Sequence, residues 1–147
     1  MGLLTWSRGD VIYLDAVTII YSVENVEPYS QLLIPLWSSA GAGQVQLVGS
    51  ELLLLETLVK PIREQDAALE ISFRHILAHS DLRLIPISRP ILERAGRLRA
   101  ASKIHTPDAI HAATALSLNC TTFLSNDKGF RRVEGLPVQL LSEIVAG

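Results

Sequence analysis

The sequence predicts an α/β domain built on a mostly parallel sheet, and three observations predict it. Short apolar runs of strand length alternate with longer stretches that are apolar at helical spacing. The strand-length runs are dense in aliphatic residues, as strands covered on both faces are. The 147 residues suit one domain with one proper core, and no repeat, low-complexity stretch or long linker divides them. The expectation is a single domain over 1–147, with its core at about 11–141 and about five short strands flanked by helices.

Val11-Ile12-Tyr13-Leu14 reads as a buried strand ending at Asp15, with a short helix around Thr18 to Ser22 after it. Tyr29 to about Ser39 is apolar at helical spacing, and Pro35 within it predicts a kink or an early stop. Val45 to Val48 alternates like a second strand. Ser50 then reads as the N-cap of a helix that starts at Glu51 and breaks at Pro61. A further helix spans about Gln65 to His79, and Leu84 to Ile87 is a strand. Ser88 caps a helix with Pro90 in its first turn, running to about Ser102. Thr106-Pro107 reads as N-cap and first helical position of a helix reaching about Leu118. Thr121 to Leu124 leads as a strand into Ser125-Asn126-Asp127, and Val138 to Leu141 is the last strand.

Hydrophobic residues make up 48% of the chain and mean hydropathy is +0.30. No apolar run approaches the roughly 18 residues that span a bilayer, so no membrane segment is expected. High apolar content then implies either a surface covered by a partner or a sheet covered on both faces. Leu32, Leu33, Leu36, Trp37, Phe73 and Ile76 are the candidates for a dimer seam or partner groove, with core packing as the alternative. The single cysteine, Cys120, excludes an intrachain disulfide and a Cys-based zinc cluster. The N-terminus lacks a basic-then-apolar signal pattern, and a cytoplasmic location is the expectation.

Net charge is −2, yet nine Lys or Arg against three acids fall between Arg83 and Arg132. Such a stretch is either a phosphate-backbone footprint or a solvated helix face. Arg94, Arg97, Arg99 and Lys103 on one helix, extended by Arg131 and Arg132, form the candidate track for a phosphate backbone.

In open α/β sheets ligands bind outside the carboxyl ends of the strands, near a topological switch point. Asp15 closes the first strand and Asp127 follows the fourth after two polar residues, so both belong to that edge. Asp108 sits in the first turn of its helix, where the dipole favours a carboxylate. Glu56 stands among leucines in LLLLETLV, pointing either to solvent or into a polar site. Each acid alone has a plain structural use as a turn, cap or solvated residue. Together they describe a site for a hard divalent cation, because crowded carboxylates repel unless a cation such as Mg²⁺ or Mn²⁺ lies among them. That chemistry activates water and steadies a phosphodiester without a cysteine nucleophile or serine triad.

The same residues resemble a known family. Val11 to Asp15 followed by Ile19-Ile20-Tyr21 resembles the opening of PIN domains, and Ser50 to Leu58 is similar to their second segment, with Glu56 in the acid's place. Thr106-Pro107-Asp108-Ala109-Ile110-His111-Ala112-Ala113-Thr114-Ala115 is similar to the third segment. Phe123-Leu124-Ser125-Asn126-Asp127-Lys128-Gly129-Phe130 is similar to the fourth. The resemblance implies a parallel-sheet fold and Mg²⁺- or Mn²⁺-dependent cleavage of single-stranded RNA by Asp15, Glu56, Asp108 and Asp127. Small members of this length are mostly VapC-type toxins, held inactive by an antitoxin protein and commonly homodimeric. Many members carry a polar residue two places after the first Asp, where this chain has Val17; Thr18 is the candidate substitute. Ser125 and Asn126 are candidates to hold Asp127 or a metal-bound water.

His111, three residues after Asp108 on the same helix face, is given a packing or RNA-contact role. Two other readings stand beside the ribonuclease: a catalytically weakened PIN-like module that binds RNA or protein, and a phosphatase of another acid-rich fold. The phosphatase wants a second aspartate just after the first strand, and Asp15-Ala16-Val17 lacks it.

Overall fold

β1 (Val11–Leu14) is the middle strand of a five-stranded sheet, and every neighbouring pair in that sheet is parallel. The structure, a computed structural model, describes residues 2–147; Met1, where the expected 1–147 span begins, lies outside the described residues. From β1 the chain passes through α1 (Ala16–Val23) and α2 (Tyr29–Gly41) to β2 (Gln46–Ser50), then through α3 (Leu52–Arg63) and α4 (Ala67–His79) to β3 (Leu82–Ile85). It returns through α5 (Arg89–Ala101) and α6 (Thr106–Ser117) to β4 (Thr122–Ser125) on the other side of β1. A 3₁₀ turn (Lys128–Arg132), β5 (Val138–Leu140) and α7 (Leu141–Ala146) complete the order β3-β2-β1-β4-β5. The direction of winding reverses between β1 and β4, which is where an open α/β sheet leaves a crevice at its carboxyl edge.

Side chains alternate across a strand, so each strand serves two cores. Ile12, Leu14, Leu47 and Leu124 face one side, covered by Leu33 and Leu36 of α2, Leu53 of α3 and Phe73 of α4. Tyr13, Val48 and Phe123 face the other, covered by α5, α6 and Phe130. Burial on both faces explains why the strand runs read as nearly continuous apolar stretches. Gly49 matters to the placement of α3: a Cβ there would come within 2.7 Å of Leu53 Cδ1 and 3.3 Å of Leu14 O. Its absence lets the first turn of α3 lie against the strand ends.

Several local expectations change. Pro35 does not stop α2, which runs on to Gly41 with Pro35 on its exposed side. Pro61 does not end α3 either; it is buried within the last turn, and the helix reaches Arg63. Ser50 ends β2 rather than capping from outside, although its Oγ still accepts from the Leu52 N–H at 3.0 Å. Thr106 is the first helical residue, not the cap, which is His105 in extended conformation; the Thr106 hydroxyl accepts from Arg99 Nη1 at 2.9 Å. β3 lies two residues earlier than expected, since Leu82 to Ile85 pair with Leu47 to Ser50 and Pro86 has no N–H to continue the ladder. Ser88 does cap α5, accepting from Ile91 N–H at 3.4 Å. The proposed seam residues Leu32, Leu33, Leu36 and Phe73 are core, with Trp37 and Ile76 packed against them. The exposed large apolar side chains lie instead mainly on α3 and α4, at Leu54, Leu55, Val59, Ile62 and Ile71.

Candidate active site

Asp15, Glu56, Asp108 and Asp127 line one cleft of about 320 Å³, together with Val17, Tyr21, His111, Ser125, Asn126 and Phe130. Asp15 and Asp127 follow β1 and β4, on either side of the switch point. Glu56 arrives from the second turn of α3 and Asp108 from the first turn of α6. Among the leucines of α3, Leu53 and Leu58 are buried while Leu55 is exposed, so Glu56 turns toward the cleft and an apolar stripe turns toward solvent.

Asp15 is the most buried of the four acids and the N-cap of α1. Its Oδ1 accepts from the Thr18 N–H at 3.3 Å, and its Oδ2 accepts from the Ser125 hydroxyl at 2.5 Å. The Ser125 oxygen also accepts from the Asp127 N–H at 3.0 Å, so one hydroxyl ties the two acidic strand ends together. Asp127 Oδ1 accepts from Gly129 N–H at 2.8 Å, which starts the 3₁₀ turn and brings Phe130 beneath the cleft. Burial pushes the Asp15 carboxyl up to about 6, against the opposing pull of the Ser125 hydrogen bond and the nearby His111. Asp108 is also held above the ordinary carboxylate value, first by burial and then by the negative charge of Asp127.

His111 is buried, with Nε2 2.5 Å from Glu56 Oε1 and Nδ1 2.6 Å from the Tyr13 hydroxyl. Both ring nitrogens are engaged within the protein, which leaves neither free for a direct RNA contact. Thr18 spends its hydroxyl on the Asp15 carbonyl oxygen at 2.7 Å, and Val17 adds an apolar wall. Asn126 does not hold Asp127: its Nδ2 donates to the Tyr21 hydroxyl at 3.1 Å and its Oδ1 accepts from Ser142 N–H at 2.9 Å, which pins α1 and α7 to the cleft floor. Arg97, Arg99 and Lys103 do not line the cleft. Arg99 donates instead to Ile104 O and Thr106 Oγ1, bracing the turn that leads to Asp108. Arg131, half-exposed, is paired with Glu143. Sequence reasoning missed Tyr13, whose signal was a hydroxyl inside an otherwise aliphatic strand two residues before Asp15.

The donor set is all oxygen, the class that hard divalent cations take. Two of the carboxyls are raised by burial and crowding, the conflict that a cation relieves. Among the described residues, no three His, Cys, Asp or Glu side chains stand together at the spacing of a direct metal cage. An all-oxygen set of this kind would fit a hard divalent cation that keeps some of its waters.

The family model of the PIN domain matches residues 12–136. No curated protein matches the chain by sequence. Among solved structures, it is similar to VapBC2 from Rickettsia felis bound to a promoter DNA fragment, with TM-score 0.71 and 19% identity over 88% of this chain and 98% of that one. A toxin–antitoxin complex from Klebsiella pneumoniae gives TM-score 0.68 and 24% identity over 88% and 97%. The Mycobacterium tuberculosis toxin VapC20, described as cleaving the sarcin-ricin loop, gives 0.67 and 15% over 82% and 92%. At these identities the likeness is one of fold.

Proposed function

The chain belongs to the PIN-domain family, and from that premise we propose that it is a divalent-metal-dependent endoribonuclease that cleaves single-stranded RNA, the toxin of a toxin–antitoxin pair. The observation that carries the reading is the convergence of Asp15, Glu56, Asp108 and Asp127 from four separate elements on one cleft at the switch point. Asp108 and Asp127, the two more open of the three aspartates, would hold the cation directly. Asp15, hydrogen-bonded at both oxygens, and Glu56, held by His111, are fixed in orientation and would support the cation from beside it. Mg²⁺ or Mn²⁺ bound there supplies an activated water and neutralises charge on the phosphodiester. Ser125 takes the orienting role that Val17 cannot fill, since its hydroxyl donates to Asp15.

An RNA strand approaching an acidic cleft needs cationic side chains around it. Arg97 and Lys103, exposed on and just after α5, are assigned to that approach, and Arg99 to shaping the loop before α6. The exposed apolar stripe of α3 and α4 is the candidate contact for an antitoxin or a second copy in a homodimer. The neighbours that are toxin–antitoxin complexes support a protein partner. Among the described residues no helix is long and apolar enough to cross a membrane, and a cytoplasmic location is part of the proposal.

The test is cleavage of a single-stranded RNA with Mg²⁺, Mn²⁺ or EDTA, beside Asp15→Asn and Asp108→Asn. Metal-dependent cutting that both variants lose is the expected result, with rates down at least about a hundredfold as for loss of a group that steadies transition-state charge. Absence of cutting together with absence of Mn²⁺ binding by calorimetry would replace this reading with the non-catalytic binding module.

A further inference from the structure

α6 packs on the sheet through small or aliphatic residues, among them Ala109, Ala112 and Ala113, each fully buried. One large polar side chain interrupts that face: His111, at 1% exposure. Its Nε2 lies 2.5 Å from Glu56 Oε1 and its Nδ1 lies 2.6 Å from the Tyr13 hydroxyl. Tyr13 has no freedom to move, because it is wholly buried and stacked on Phe123 at 5.0 Å with the rings 6° from parallel. With Glu56 a carboxylate, one assignment gives every polar hydrogen an acceptor: Nε2–H donates to Glu56 and the Tyr13 O–H donates to Nδ1. A line of hydrogen bonds thus runs from the central strand, through α6, to a half-buried carboxylate on α3.

A glutamate at the edge of a cleft needs no such support to be stable, and burying a histidine and a tyrosine hydroxyl costs more than burying leucine and phenylalanine. The arrangement does fix the rotamer of Glu56, a side chain otherwise free to swing. We propose that Tyr13 and His111 are positioning residues that act through Glu56, presenting its carboxylate to the cleft in one orientation. The inference rests on the metal-nuclease reading above and adds to it two residues outside the acid quartet.

The experiment measures Mn²⁺ affinity by calorimetry, thermal unfolding and RNA cleavage for His111→Leu, His111→Gln, Tyr13→Phe, Glu56→Gln and the pair His111→Leu with Glu56→Gln. The glutamine amide keeps a donor near the place of Nε2; leucine does not. Expected for His111→Leu is a loss of Mn²⁺ affinity of about tenfold, the usual scale for a residue that orients a ligand. His111→Gln should recover most of it, and the double variant should lose no more than about twofold beyond Glu56→Gln alone, since both act on one interaction. Tyr13→Phe keeps the stack on Phe123 and should lose affinity in the same direction, which covers the case of a His111→Leu protein that does not fold. Folded variants that bind Mn²⁺ as the wild type does, or losses that multiply in the double variant, overturn the relay alone. A wild-type protein that binds no Mn²⁺ overturns the metal reading and the relay with it.

Discussion

Two helix pairs cover opposite faces of the sheet, and each delivers one acid to the same cleft. α3, packed with α4, brings Glu56; α6, packed with α5, brings Asp108. Inward, the two pairs use different means: α3 is seated by Leu53 and Leu58 over Gly49, whereas α6 approaches closely through alanines and a single histidine. Outward they diverge further. The first pair exposes Leu55, Val59, Ile62 and Ile71, while the second exposes Arg94 and Arg97, with Lys103 just beyond. The buried inner faces seat the two acids in the cleft, with Arg99 bracing the start of α6 from outside, and the outer faces carry the proposed apolar and anionic contacts.

The largest effect should separate inner from outer faces. Phe123→Ala removes a wholly buried ring stacked on Tyr13 and packed on Phe130, and should cost about 3–5 kcal/mol in denaturant unfolding. Leu55→Ser or Ile62→Ser on the outer face of α3 should stay within about 0.5 kcal/mol of wild type. Comparable losses in both sets would mean that the apolar stripe is structural.

Next in size is Asp15, the most buried of the four acids. Burial raises its folded value from 3.8 to about 6, so the folded state holds its proton more tightly than the unfolded chain does. Stability therefore falls as pH rises from about 4 to about 6, by roughly 3 kcal/mol across that interval. Asp15→Asn escapes that fall. In EDTA it should melt above wild type near pH 7, and the gap should close toward pH 4. A gap independent of pH would remove burial as its cause.

Smaller still is Arg99→Ala, which frees Ile104 O and Thr106 Oγ1 and loosens the start of α6. A cost of about 1 kcal/mol in unfolding is expected, the scale of an ordinary hydrogen bond in water. Arg97→Ala with Lys103→Ala should leave stability alone. Its readout is RNA binding across a salt series, where the log–log slope should shrink by about 0.7 for each phosphate that the variant no longer neutralises. Affinity unchanged at both low and high salt would return that face to plain solvated surface.

Much of this was legible along the chain. Asp15 and Asp127 stood out because each closes a strand-length apolar run, and Asp108 because Thr106-Pro107 announces a helix start. Glu56 was ambiguous because leucines at 52 to 55 cover several directions of one helix, and only packing decides which of them are inside. Neither Pro35 nor Pro61 ends its helix, because neighbouring elements hold a helix through a missing hydrogen bond that would end it in isolation. β3 moved by two residues because register belongs to the partner strand, not to the run itself.

The sequence alone determined the α/β alternation, the parallel sheet and three of the acids at its carboxyl edge, because periodicity and turn chemistry act over a few residues. Only the tertiary structure decided what supports those acids. Ser125 meets Asp15 across 110 residues, and His111 meets Tyr13 across 98. Such pairings leave no periodic trace in the chain; they follow from strand order, and strand order is set by how the two helical layers bury the sheet between them.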